Sequence, residues 1–130
     1  MTEATTPVVI VLVEDDEDIA RLICFHLTKA GFTLRWRRRA ENVVVEAEQH
    51  RPALFLLDLI LPGIDGFQLC RILKRHPVLR TRPVLVLTAK TGQSDRKLAF
   101  QNGADDYLTK PFSPKHLVSR VRRLTGTDAT

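Results

Sequence analysis

Short apolar runs alternate with amphipathic stretches along the whole chain, and this alternation constrains the fold more than any other feature. The runs span Pro7 to Val13, Thr33 to Trp36, Ala53 to Leu57, Pro83 to Leu87 and Tyr107 to Leu108. The first, third and fourth are near-continuous in Val and Leu, the pattern of strands buried on both faces. Between them lie segments with helical spacing. Ile19, Leu22, Ile23, Leu27 and Ala30 share one face from Glu17 to Ala30, and Gly31 stands ready as a C-terminal cap. A second helix is expected from Ala40 to Gln49, stopped by Pro52, and a third from Phe67 to Arg75, closed by Pro77. Ser94 or Asp95 is expected to cap a fourth that ends near Gly103. Ser113 followed by Pro114 opens a fifth, with Leu117, Val118, Val121 and Leu124 on one side.

Five strand-then-helix units in a row predict an α/β fold. The expected architecture is a doubly wound, five-stranded parallel sheet in the flavodoxin-like order 2-1-3-4-5, with helices on both faces. The 130 residues suffice for one domain with a real core. Its 44% hydrophobic and 27% charged residues exclude disorder as the main state. No run approaches the ~20 apolar residues of a membrane span, and MTEATTP lacks the pattern of a secretory signal. The expected division is a disordered tail over 1–7, a domain over 8–124, and a tail or linker start over 125–130. Cys24 and Cys70 are too few for a disulfide scaffold or a four-ligand zinc site, so reduced thiols in a cytoplasmic protein are expected.

Polar residues punctuate the ends of the strands. Glu14, Asp15 and Asp16 follow the first, Asp58 the third, Thr88 the fourth, and Lys110 lies just past the fifth. In a parallel sheet all these carboxyl ends share one edge, where ligands bind at the switch point between strands 1 and 3. Residues distant in sequence should therefore converge. Glu14, Asp15 and Asp58 would bring three negative charges together and repel. Mg²⁺, a hard cation that takes oxygen ligands, relieves this, and with Lys110 it balances the three carboxylates. A carboxylate can also accept a phosphoryl group as an aspartyl phosphate, a transfer that needs mainly positioning and charge stabilisation. Asp16, by contrast, suits a helix N-cap.

The segments VLVEDDED, LLDLILPGIDG, VLVLTAK and GADDYLTKPFSPKHL resemble the receiver domain of bacterial two-component response regulators. The last segment is most similar to the OmpR/PhoB-like subfamily, whose receivers control a winged-helix DNA-binding domain. The resemblance covers about Val8 to Leu124. It implies that Asp58 is the phosphoryl acceptor. It implies that Asp15 binds the metal directly, that Glu14 holds it through water, and that the Ile60 backbone carbonyl is a third ligand. Thr88 and Lys110 would grip the phosphoryl group, and Tyr107 would be the switch aromatic that turns inward as Thr88 moves. A cis Lys110–Pro111 bond is implied as well.

The resemblance further implies pairing of two copies through the fourth helix, fifth strand and fifth helix. Asp106 and Arg120 match one cross-dimer pair. Arg96 matches a base whose acidic partner position is His116 here, and Asp105 an acid whose basic partner position is Thr127, so part of that pairing set is missing. Ile60, bulky and apolar beside the acceptor, would hinder a hydrolytic water and prolong the phosphorylated state. The partners implied are a sensor histidine kinase, a second copy of the chain, and DNA only through an output domain. The activity is self-modification with slow hydrolysis rather than turnover of an external substrate.

Other readings compete. Arg35, Arg37, Arg38 and Arg39 around Trp36 could bind nucleic acid. The alternative is a charged sheet edge that discourages edge pairing. An aspartyl phosphatase typically carries a second aspartate two residues after the first, where this chain has Ile60, and no GxxxxGK[ST] loop is present. Histidines 26, 50, 76 and 116 show no metal-ligand spacing. A degenerate receiver acting only as an interaction module would have lost site residues, yet the five key side chains are all present.

Overall fold

The first, third and fourth apolar runs become the inner strands of a parallel sheet, buried from both sides, and the second and fifth become its edges. The computed structural model describes residues 6–127. Its strands are β1 (Val9–Val13), β2 (Thr33–Arg37), β3 (Leu54–Leu57), β4 (Val84–Thr88) and β5 (Asp106–Thr109). They alternate with helices α1 (Glu17–Lys29), α2 (Val43–His50), α3 (Gly66–Arg75), α4 (Gln93–Gln101) and α5 (Pro114–Thr125). The sheet order is β2-β1-β3-β4-β5, all parallel, as the sequence predicts. Most of the tail expected over 1–7, and residues 128–130 of the second tail, lie outside the described residues.

Strand side chains alternate between the two faces with period two. Val11, Val13, Phe55, Leu57, Val84 and Val86 pack against α2, α3 and α4, whose Val43, Ala47, Leu69, Leu73 and Ala99 close that layer. Ile10, Leu12, Leu54, Leu56, Leu85 and Leu87 pack against α1 and α5, through Ile23, Leu27, Leu117 and Val121. The central strand β3 is buried at all four of its residues. Among the described residues no helix is long and apolar enough to cross a membrane.

Several boundaries differ from the expected ones, each for a local reason. The second helix starts at Val43 rather than Ala40, because Asn42 takes a left-handed φ of 68° and Ala40 is drawn into the core. The fourth starts at Gln93 behind Gly92, with no side-chain cap. Asp95 faces Lys90 instead, at 3.8 Å. The fifth runs one residue past the expected end, to Thr125, and stops at Gly126 in the left-handed region (φ 70°). Asp16, Asp65 and Ser113 each accept a backbone N–H at the start of α1, α3 and α5.

Candidate functional site

Ladder hydrogen bonds continue past the strand ends and fix where the polar residues fall. Glu14 N–H donates to the Arg37 carbonyl at 3.0 Å, Asp58 N–H to Val13 at 3.1 Å, and Lys110 N–H to Thr88 at 2.8 Å. Glu14, Asp58 and Lys110 are therefore held at one edge of the sheet as rigidly as strand residues. Thr88 is the last residue of β4 rather than the one after it, and it is fully buried.

At that edge the three acids meet. One carboxylate oxygen each of Glu14, Asp15 and Asp58 lies within 4.8 Å of the other two. Glu14 and Asp58 are buried and Asp15 is exposed, so the cluster has one open side. The Lys110 ammonium reaches across, 2.6 Å from Glu14 Oε1 and 2.8 Å from Asp58 Oδ2. Burial pushes the Glu14 carboxyl above its ordinary range, although the Lys110 hydrogen bond pulls the other way. Burial also disfavours the Lys110 charge, but its hydrogen bonds to Asp58 and Glu14 outweigh this and the ammonium is held above its usual value. One cation thus serves two buried acids, while Asp15 is left without it. Three oxygens at this spacing, hard donors with an open side, suit a divalent cation with retained waters.

Asp58 is fixed on both oxygens: Oδ2 by Lys110, and Oδ1 by the Ile60 N–H at 3.0 Å. The Ile60 side chain stands half exposed beside it. Lys110–Pro111 is cis, as the resemblance implies. Tyr107 is buried rather than turned out to solvent, and its hydroxyl donates to the Lys90 carbonyl in the loop after Thr88. Thr88 Oγ1 accepts the Lys90 N–H at 3.4 Å. Thr88 and Tyr107 are thus joined through Lys90.

Of the residues matched to a dimer face, Arg96, Asp106 and Arg120 lie on α4, β5 and α5 and Asp105 just before β5, but here they make contacts within the chain. Arg120 and Arg123 both donate to Asp106. Asp105 accepts from Lys74 Nζ at 3.0 Å and from Val84 N–H at 2.8 Å. Arg96 lies over the rings of Tyr107 and Phe100. The basic cluster on β2 sits on a sheet edge, with Arg37 bound to Glu46, Arg38 to Glu17 and Arg39 to Glu41. Its charges are largely answered inside the fold, which favours the edge-protection reading over nucleic-acid binding. His76 accepts the Val78 and Leu79 N–H groups at Nδ1 and faces Glu48 at Nε2, a packing role.

Two residues bear on the site although neither the spacing nor the resemblance gives them a role there. Gly66 opens α3 directly against Asp58: a Cβ there would lie 2.4 Å from the Asp58 carbonyl oxygen and 2.5 Å from Leu59 Cα. In the sequence it ends the segment LLDLILPGIDG, just before the expected third helix, with no role of its own implied there. Trp36 donates its indole N–H to the Glu14 carbonyl at 2.8 Å, a contact that no periodicity announces.

Comparison with known proteins points the same way. The response regulator receiver domain family matches residues 10–122. The phosphate regulon transcriptional regulatory protein PhoB of Escherichia coli is 42% identical over 113 residues, 87% of this chain and 49% of that protein. The chain spans about half the length of the curated relatives it matches. Among solved structures, a putative response regulator from Chloroflexus aurantiacus is 36% identical with a TM-score of 0.89, covering 93% of this chain and 99% of that one. The receiver domain of the sensor histidine kinase PA1611 of Pseudomonas aeruginosa has a magnesium ion coordinated in its active site cleft. It is 31% identical with a TM-score of 0.85, covering 93% and 99%. Sheet order, acidic edge and a match over nearly all of the described residues agree, and the chain belongs to the response regulator receiver domain family.

Proposed function

We propose that the chain is a phosphorylation switch that accepts a phosphoryl group on Asp58 from a phosphohistidine of a sensor kinase. The observation that carries this reading is the placement of Asp58: buried, immobilised on both oxygens, and adjacent to Lys110 and two further acids. In the transfer, an Asp58 oxygen bonds to phosphorus while the donor's P–N bond breaks, and its electron pair stays on the imidazole nitrogen, which takes up a proton. Lys110 then meets the new dianion with a charge-assisted hydrogen bond. Thr88, one loop bond from Lys90, would turn its hydroxyl to the phosphoryl oxygens, and Tyr107 would follow through that same loop. Glu14, Asp15, Asp58 and the Ile60 carbonyl would hold Mg²⁺, as the chemistry of the donor set allows and as the magnesium-bound relative supports. Bound there, the ion would neutralise acid–acid repulsion and the charge gathering on the phosphoryl oxygens.

The activity is self-modification followed by slow hydrolysis, not turnover of an external substrate. Ile60 shields the acceptor from water and would lengthen the phosphorylated state. The altered face would comprise α4, β5 and α5, with dimerisation as its consequence. Relatives about twice as long are named transcriptional regulators, which supports transcription as the output, through a DNA-binding domain other than residues 10–122. The test is intact mass after acetyl phosphate, with and without Mg²⁺, beside Asp58→Ala. One added phosphoryl group that requires both Mg²⁺ and Asp58 is expected. No added group on folded, Mg²⁺-binding protein would favour a phosphorylation-independent interaction module.

A further inference from the structure

The single tryptophan of the chain does more than pack against the core. Trp36 lies on the edge strand β2, half-buried, and its indole N–H donates to the main-chain carbonyl of Glu14 at 2.8 Å. Glu14 is then held at every polar group it has. Its N–H donates to Arg37, its carbonyl accepts from Trp36, Oε2 accepts the Asp16 N–H at 3.1 Å, and Oε1 accepts from Lys110. The Trp36 bond is the one that sets the peptide plane between Glu14 and Asp15, the two neighbouring acids of the site. One face of the indole carries a cation. The Arg38 guanidinium stacks over it, 4.7 Å from the ring centroid, and pairs with Glu17 in the first turn of α1. A chain of contacts thus runs from β2 over the indole to the first turn of α1.

We infer that Trp36 is a positioning residue for the divalent-cation site: it fixes the Glu14–Asp15 peptide so that both carboxylates are presented together. The inference rests on the metal reading of the acidic edge. A cation held by oxygens at short range is sensitive to small displacements of its ligands, and orienting partners outside the ligand set commonly tune affinity by factors of ten or more. An edge-strand tryptophan that only packed would leave its N–H to solvent. This one places it on the backbone between two ligands.

The experiment is a calorimetric titration of Mg²⁺ into the wild-type chain, Trp36→Phe, and a chain with benzothienylalanine at position 36, which keeps the ring shape and lacks the N–H. Both variants are expected to bind Mg²⁺ about tenfold more weakly. The Mg²⁺ concentration for half-maximal phosphorylation by acetyl phosphate should shift by the same factor. Wild-type tryptophan emission should change with Mg²⁺ at the calorimetric midpoint, and Asp15→Asn should abolish that change. Unaltered Mg²⁺ affinity in the benzothienylalanine chain, or wild-type emission blind to Mg²⁺ that calorimetry detects, overturns the role of Trp36 alone. An absence of Mg²⁺ binding by the wild type overturns the metal reading itself, and the inference with it.

Discussion

Asp106 and Arg120 meet inside one chain: both carboxylate oxygens of Asp106 accept from Arg120 Nη1 at 3.1 Å, and Arg123 adds a third bond at 2.9 Å. The carboxylate is mostly buried at the start of β5, and the bonds tie α5 to the sheet edge. A pairing of these residues across two copies must first give up this arrangement, so the exchange gains little by itself.

A role inside the chain has a concentration signature. Arg120→Ala is expected to lower stability by about 1 kcal/mol, between the worth of an exposed ion pair and that of a charged hydrogen bond. The urea midpoint should fall equally at low and high protein concentration. A loss seen only at high concentration would mean that the pair acts between copies.

Gly66 meets Asp58 by close packing rather than through a side chain. The close approach of α3 to Asp58 is possible only without a side chain, and the obstruction a Cβ would meet is backbone, which cannot rotate aside. Gly66→Ala is expected to cost ~1–3 kcal/mol, as overpacking does. It should also slow phosphorylation of Asp58, because the strand end must shift. Urea unfolding and the rate with acetyl phosphate read the two effects separately. A variant with wild-type stability and rate would show that α3 can give way freely.

Much of this was legible in the sequence because parallel strands buried on both faces write themselves as apolar runs, and their carboxyl ends fall where the runs stop. Glu14, Asp58 and Lys110 could be placed at one edge from that alone. Asp15 and Thr88 followed from the same rule, with Thr88 one residue inside the strand rather than beyond it. Trp36 and Gly66 were not legible as site residues. Their roles depend on a side-chain hydrogen bond between elements and on a packing of α3 against Asp58 that leaves no room for a Cβ, and neither leaves a period or a spacing. The start of α2 was missed because left-handed Asn42 is a backbone choice that the helical spacing of Ala40, Val43 and Val44 conceals.

The two thiols should report burial through their ionisation. Burial pushes Cys70 up to about 11, and raises Cys24 as well, at a half-buried position on α1. A raised thiol value means less thiolate at a given pH, and the thiolate is the reacting form. At pH 8 on the order of one Cys70 in a thousand is ionised, against roughly a quarter of an unfolded cysteine with its ordinary value near 8.5. Iodoacetamide at pH 8 is expected to modify native Cys24 slowly and Cys70 scarcely at all, and both promptly in denaturant. Peptide mass mapping distinguishes the sites. Equal native reactivity would show that α3 opens far more often than its packing implies.

A divalent cation at this edge would compete with Lys110 for the same two acids, so removing the lysine should move binding and transfer in opposite directions. In Lys110→Met the stem remains while the charge is lost, and Glu14 and Asp58 face each other uncompensated. Breaking a buried ion pair from one side typically costs ~3–5 kcal/mol, so melting in EDTA should occur well below the wild type. The remaining acids should then bind Mg²⁺ about tenfold more tightly, a gain of about 1.4 kcal/mol, and Mg²⁺ should restore much of the lost stability. Phosphorylation should nonetheless slow by roughly a hundredfold, the usual cost of losing one charge-stabilising donor. Calorimetry, melting with and without Mg²⁺, and acetyl phosphate kinetics measure the three effects. Weaker Mg²⁺ binding in the variant would mean that Lys110 builds the pocket rather than competing within it.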